Sequence, residues 1–143
     1  MINYIETPII SFEAALQLVR LGIEKAEALG VRAVVTVVDP SLTMVAFGKA
    51  DGAAPHSLET SRRKALSSAS TRRATGWMTG DFAVQAPLGT GMLLTNILGG
   101  MPIVFDGKHV GGLGIAGGTP DQDATIAGDV IDAVGATRVA ARP

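Results

Sequence analysis

Asp106-Gly107 stands between two apolar runs, Met101–Phe105 and Val110–Ala116. An Asp-Gly pair accepts the positive φ angles of a tight turn, so this arrangement predicts an antiparallel β-hairpin. No other feature constrains the fold as much, because a chain with this hairpin cannot be built from parallel crossovers alone. A second hairpin is expected upstream. Val31–Val38 is β-branched and apolar, Asp39-Pro40 turns the chain, and Thr43–Lys49 returns.

Helices fit what lies between. Ser11 opens the first, Ala15, Leu16, Val19, Ile23, Ala26 and Leu29 recur at helical spacing, and Gly30 stops it. After the Asp51–Pro55 turn, Ser57 is expected to cap a second helix with Leu58, Arg62, Ala65, Leu66 and Ala69 on one face. Ala74–Thr90, rich in Gly and Pro, predicts a partly helical excursion at a surface or interface. Thr119-Pro120-Asp121 then starts a last helix that runs to about Val134. The order helix, hairpin, helix, excursion, hairpin, helix predicts an α+β fold rather than a doubly wound parallel sheet.

Composition narrows the function. A chain of 143 residues predicts one domain, covering 1–143. It is 47% hydrophobic but only 17% charged, so part of its surface is expected to be covered by copies of itself. With no cysteine there is no disulfide framework, thiolate metal site or cysteine nucleophile. A net charge of -1 and 4% aromatic residues argue against nucleic acid as the main partner. The start, Met-Ile-Asn-Tyr-Ile-Glu, has no basic n-region, and no apolar run has the length of a membrane span, so no membrane partner and a cytoplasmic location are expected.

Candidate chemistry gathers at three places. Gly112-Leu113-Gly114-Ile115-Ala116-Gly117 matches G-x-G-x-x-G, but the 26 residues after it leave no room for the second strand and acidic residue of a dinucleotide fold. Close backbone packing explains these glycines better. Backbone N–H groups around Gly117 and Gly118, ahead of the last helix, are candidate carboxylate binders, with Asp121 and Asp123 as competitors. His56, beside the turn, is the candidate ligand or general base, with Asp51 to orient it. His109 falls in the tight turn and is expected to be solvated. Arg62, Arg63, Lys64, Arg72 and Arg73 form a basic cluster whose guanidinium forks suit carboxylates or phosphates. The plainer alternative is a solvated face paired with Asp121, Asp123, Asp129 and Asp132 of a neighbouring subunit. No G-x-S-x-G elbow, H-E-x-x-H or P-loop occurs, and Ser57, Ser61, Ser67, Ser68 and Ser70 are explained by capping and polar packing.

Several short runs occur in a familiar order: Val34–Asp39, Ala50-Asp51-Gly52-Ala53, Lys64-Ala65, Gly99-Gly100-Met101-Pro102-Ile103, Asp106-Gly107, Val110–Gly118, and Gln122-Asp123 with Ala127. Over about residues 8–135 the chain resembles the GlcG/HbpS-like family of haem-binding or haem-degrading proteins, a domain that also forms the C-terminal part of PduO-type corrinoid adenosyltransferases. It departs from that family's pattern at Pro40-Ser41-Leu42, Gly48-Lys49-Ala50 and Leu66-Ser67-Ser68. The resemblance implies a profilin-like α/β/α sandwich with a central antiparallel sheet, assembled into homo-oligomers from dimers to octamers. It also implies haem or another tetrapyrrole as ligand. His56 would then be the axial ligand, and the only metal-binding residue. Arg62, Arg63 or Lys64 would pair with propionates, and Met44, Met78, Met92 and Met101 would line an apolar pocket. Two other readings stand beside it: a cofactor-independent hydrolase or isomerase of a small carboxylate in a catabolic pathway, using His56 and Asp51, or a non-catalytic oligomeric accessory protein.

Overall fold

Asp106 and Gly107 adopt φ angles of 53° and 75°, and the hairpin they close is the C-terminal half of the sheet. The computed structural model describes residues 1–140. Its elements are α1 (Phe12–Ala28), β1 (Val34–Val38), β2 (Met44–Lys49), α2 (Ser57–Thr71), α3 (Phe82–Gly89), β3 (Gly100–Phe105), β4 (Lys108–Ala116) and α4 (Pro120–Ala133). The strands form one antiparallel sheet in the order β2-β1-β4-β3. In the first hairpin, the Asp39 carboxylate accepts from the Ser41 and Thr43 amides at 2.8 and 3.1 Å. Leu42 there takes a φ of 68°.

Helices cover both faces, which is why every residue of β1 is buried. On one face Val35, Val37, Met101, Ile103, Leu113 and Ile115 pack against Leu18 and Val19 of α1 and Ile126, Val130 and Ile131 of α4. The main core lies here. α2 covers the other face, where alternation along the strands presents Thr36 and Val38 beside Gly100, Gly112 and Gly114. A Cβ at Gly114 would run into the Ser61 carbonyl and stand 2.7 Å from the Ala65 nitrogen; one at Gly100 would stand 2.5 Å from the Lys64 carbonyl oxygen. Helix backbone therefore rests directly on strand backbone. Ser61 joins the layers, meeting the Thr36 hydroxyl at 2.8 Å and donating to the Gly114 carbonyl at 3.0 Å.

This close seam corrects the expected face of α2. Ala65, Leu66 and Ala69 are buried, but so are Ser57, Ser61, Lys64, Ser67 and Ser68, while Leu58 and Arg62 point to solvent. Ser57 is the first helical residue and does not cap; His56 holds the N-cap position, with no capping bond from its side chain. The excursion folds as α3, which has Pro87 inside it and no buried residue. α4 begins with a full capping box between Thr119 and Gln122. Among the described residues no helix is long and apolar enough to cross a membrane.

Candidate functional site

A cavity of about 170 Å³ opens between the N-terminal half of α2 and the β4–α4 connection. Lys64 lies at its base. The ammonium is 1% exposed and donates to the Ile115 carbonyl at 2.8 Å and to the Asp123 carboxylate at 2.9 Å. Asp123, itself 2% exposed, accepts from the Gly118 amide through its other oxygen at 2.9 Å. A charge this deep is tolerated only when paired and hydrogen-bonded. Burial pushes the Lys64 amine below its ordinary range, and Asp123 opposes that shift. Room for the pair depends on Gly99, at φ 124°, where a Cβ would stand 2.9 Å from the Lys64 nitrogen.

His56 and Ser57 line the same cavity, at the start of α2. Ser57 is 2% exposed, and its hydroxyl has no hydrogen-bond partner among the described residues. His56 is exposed at the rim; its carbonyl accepts from the Thr60 hydroxyl at 3.2 Å, and its ring takes no part in capping. Ile97, also exposed, supplies the facing apolar wall. The segment carrying Ile97 runs along α2, tied to it by the Thr95 amide donating to Ser67 Oγ at 2.8 Å and by Arg63 donating to the Met92 carbonyl.

Of the candidate site residues, His56, Lys64, Gly117 and Gly118 share this cavity. Arg62 and Arg63 stay on the exposed side of α2, both paired with Glu59, at 2.7 and 3.1 Å. Lys64 is not part of that basic face: it is buried, and its acidic partner belongs to α4 of the same chain rather than to a neighbouring subunit. Arg72 ends α2 in the left-handed conformation, and Arg73 stacks 4.3 Å from the Trp77 ring. Asp51 borders a separate shallow groove with Glu27 and Arg32, away from the cavity that His56 lines.

The glycine connection also differs from expectation. The Gly118 amide is taken by Asp123, the Thr119 amide by the Gln122 side chain, and the Gln122 amide by Thr119 Oγ1, while Pro120 has no N–H. The Gly118, Thr119 and Gln122 amides are therefore committed within the chain. Gly117, at φ 127°, is required because a Cβ there would collide with the Arg32 carbonyl. His109 is not in the turn but on β4, half-buried, with Nε2 2.9 Å from the Ala69 carbonyl and Nδ1 without a partner. Met78 and Met101 are buried, Met44 and Met92 are exposed, and none of the four lines the cavity. No group of three or more metal-ligating side chains occurs among the described residues.

Sequence reasoning missed Ser57 as a cavity residue, and set Asp123 opposite the basic cluster of a neighbouring subunit rather than singling it out for Lys64 of its own chain. The available signal was the Ser57, Ser61, Lys64, Ala65, Ser68 stripe, which repeats at helical spacing and is made almost wholly of small residues.

Residues 10–132 match the family model described as haem degrading protein HbpS-like. In sequence the chain is similar to an uncharacterised 15.0 kDa protein of the dhaT-dhaS intergenic region of Citrobacter freundii, 30% identical over 129 residues, covering 86% of this chain and 90% of that one. In structure it is similar to the Klebsiella pneumoniae protein ORFY, with a TM-score of 0.86 at 24% identity over 96% of this chain and 99% of that one. It is also similar to a PduOC–haem complex, with a TM-score of 0.82 at 28% identity over 92% of this chain and 99% of that one.

Proposed function

The chain belongs to the HbpS-like family, and from that premise we propose that it binds haem or a related tetrapyrrole at the mouth of the α2–α4 cavity, as a homo-oligomer. The observation that carries the proposal is His56: an exposed imidazole at the rim, uncommitted to capping, with the apolar side chain of Ile97 across from it. The solved complex of a relative with haem supports the same ligand class.

The residues present fit such a group in one manner only. The cavity, about 170 Å³, is smaller than the roughly 300–1,000 Å³ pockets that enclose drug-sized ligands. A macrocycle would therefore be held at the mouth by the residues around it rather than enclosed. Exposed Met92, Leu93 and Ile97 provide apolar surface beside α2, and Leu58 extends it on the helix itself. His56 would hold the iron through a neutral ring nitrogen. Arg62 and Arg63 share the exposed Glu59, an exchangeable pairing, and Arg63 also donates to the Met92 carbonyl; both would turn to the propionates. Lys64 stays with Asp123. Bound haem would supply a redox-active iron, and turnover of the macrocycle is the further activity this reading admits. Exposed Phe82, Val84 and Leu88 on α3 favour coverage by a second copy.

Titration of the purified protein with haem, followed by absorbance and size exclusion, tests this. A saturable Soret shift with a dissociation constant of about a micromolar or tighter is expected, on an assembly larger than one chain. His56→Ala is expected to abolish the shift. No saturable shift with the unaltered protein overturns haem binding, and a band unchanged in His56→Ala removes His56 as the ligand. Decay of the band under reductant and oxygen, with release of iron, reads out turnover.

A further inference from the structure

The floor of the cavity has its own chemistry, apart from anything that covers its mouth. We propose that it is a binding site for a short-chain monocarboxylate, held by Lys64 Nζ and Ser57 Oγ.

The first argument is an inventory of donors. An ammonium has three N–H groups, and the two partners of Lys64, Ile115 O and Asp123 Oδ2, leave one unused. The Ser57 hydroxyl, in a residue 2% exposed, is unpartnered among the described residues and lines the same space. Asp123 has one oxygen on Lys64 and the other on the Gly118 amide. A molecule that fills this site can accept hydrogen bonds from two donors that open on the cavity. A carboxylate does so with its two oxygens, whereas an amine offers only donors.

Size and charge narrow the class. The volume of about 170 Å³ admits a small molecule only, and Ile97, Ala116 and Pro120 give a short alkyl chain an apolar wall. Asp123 repels an anion, which makes the affinity modest. A second carboxylate on the ligand would meet this acid, with no arginine or second lysine among the described residues lining the cavity and His56 only at its rim, so dicarboxylates are disfavoured. The proposal does not depend on haem and is tested without it.

The test is an amide-resolved NMR titration of the whole haem-free chain with acetate and propionate, against propionamide and succinate at equal ionic strength. Saturable shifts confined to residues 54–60 and 115–118 are expected, with a dissociation constant of about a millimolar for propionate. Propionamide and succinate should bind about tenfold more weakly or worse. Ser57→Ala keeps the fold, since its hydroxyl bonds nothing among the described residues, and should weaken propionate binding about tenfold. Lys64→Met can unfold the protein, so Ser57→Ala and the amide control carry the decision. Three results overturn the proposal: no saturable shift, shifts centred on Arg62 and Arg63, or equal affinity in Ser57→Ala. Loss of haem binding alongside intact propionate binding would overturn the haem reading and leave this one standing.

Discussion

Replacing Gly114 by alanine tests the backbone-on-backbone seam between α2 and β4. The added Cβ would stand 2.7 Å from the Ala65 nitrogen and closer still to the Ser61 carbonyl oxygen, where ordinary contact begins at 3.4 Å. Both obstacles are main chain, so no rotamer change relieves them and α2 must retreat by the better part of an ångström or more. That movement stretches the Thr36–Ser61 contact of 2.8 Å and the Ser61–Gly114 bond of 3.0 Å. Two buried hydrogen bonds contribute about 1 kcal/mol each, and overpacking a close-packed interior adds about 1–3 kcal/mol. The expected loss is roughly 3–5 kcal/mol, a large share of the stability of an ordinary domain. Urea unfolding followed by far-ultraviolet circular dichroism, at fixed protein concentration, measures it. Gly89→Ala is the control, because a Cβ there meets nothing within 4 Å; it should be neutral or stabilising by up to about 1 kcal/mol. A loss below about 1 kcal/mol for Gly114→Ala, with the denaturant slope unchanged, would refute the argument.

Three more outcomes follow from the same geometry. Lys64→Met leaves Asp123 buried without its cation and should lose about 3–5 kcal/mol, whereas Lys64→Met with Asp123→Asn should recover more than half of that in the same urea assay. Burial holds the His109 imidazole below its ordinary 6.5, so the folded state binds fewer protons than the unfolded chain just below that pH. Stability is level above about pH 6.5 and falls as pH drops toward the lowered folded value; His109→Gln should flatten that fall in urea midpoints taken at successive pH values. Arg73, 4.3 Å from the Trp77 ring, should shift the emission of the single tryptophan when replaced by alanine, with little change in the unfolding midpoint.

The parts of the fold legible in the sequence were those fixed by local chemistry. Asp106-Gly107 specified a turn whatever surrounded it, and Thr119-Pro120 marked a helix start. The turn and the helix start formed as expected, and the structure adds Gln122 as the other half of the cap. The site was less legible because its key contact spans 59 positions, from Lys64 to Asp123. Within Arg62-Arg63-Lys64 nothing in composition separates the buried cation from its exposed neighbours. The distinction comes from helical phase against a sheet face that β3 and β4 leave bare at Gly100, Gly112 and Gly114, and that bareness was visible only as scattered glycines. His109 was misplaced for a related reason. β4 begins at Lys108, directly after the two-residue turn, so a residue assigned to solvent became part of the sheet.

The glycine seam has a consequence for how this architecture can change over generations of mutation. Where side chains interlock, a lost methyl on one surface can be answered by a gained methyl on the other, and variants creep through small steps. Under α2, where it crosses Gly100, Gly112 and Gly114, there is almost nothing to trade: both surfaces are main chain, and the smallest available increment is an intolerable one. Diversification is thereby pushed to the two ends of the helix and to the segments beside it. The N-terminal end is where His56 and Ser57 stand, so the fold confines its chemical experimentation to the rim of a frame that stays fixed.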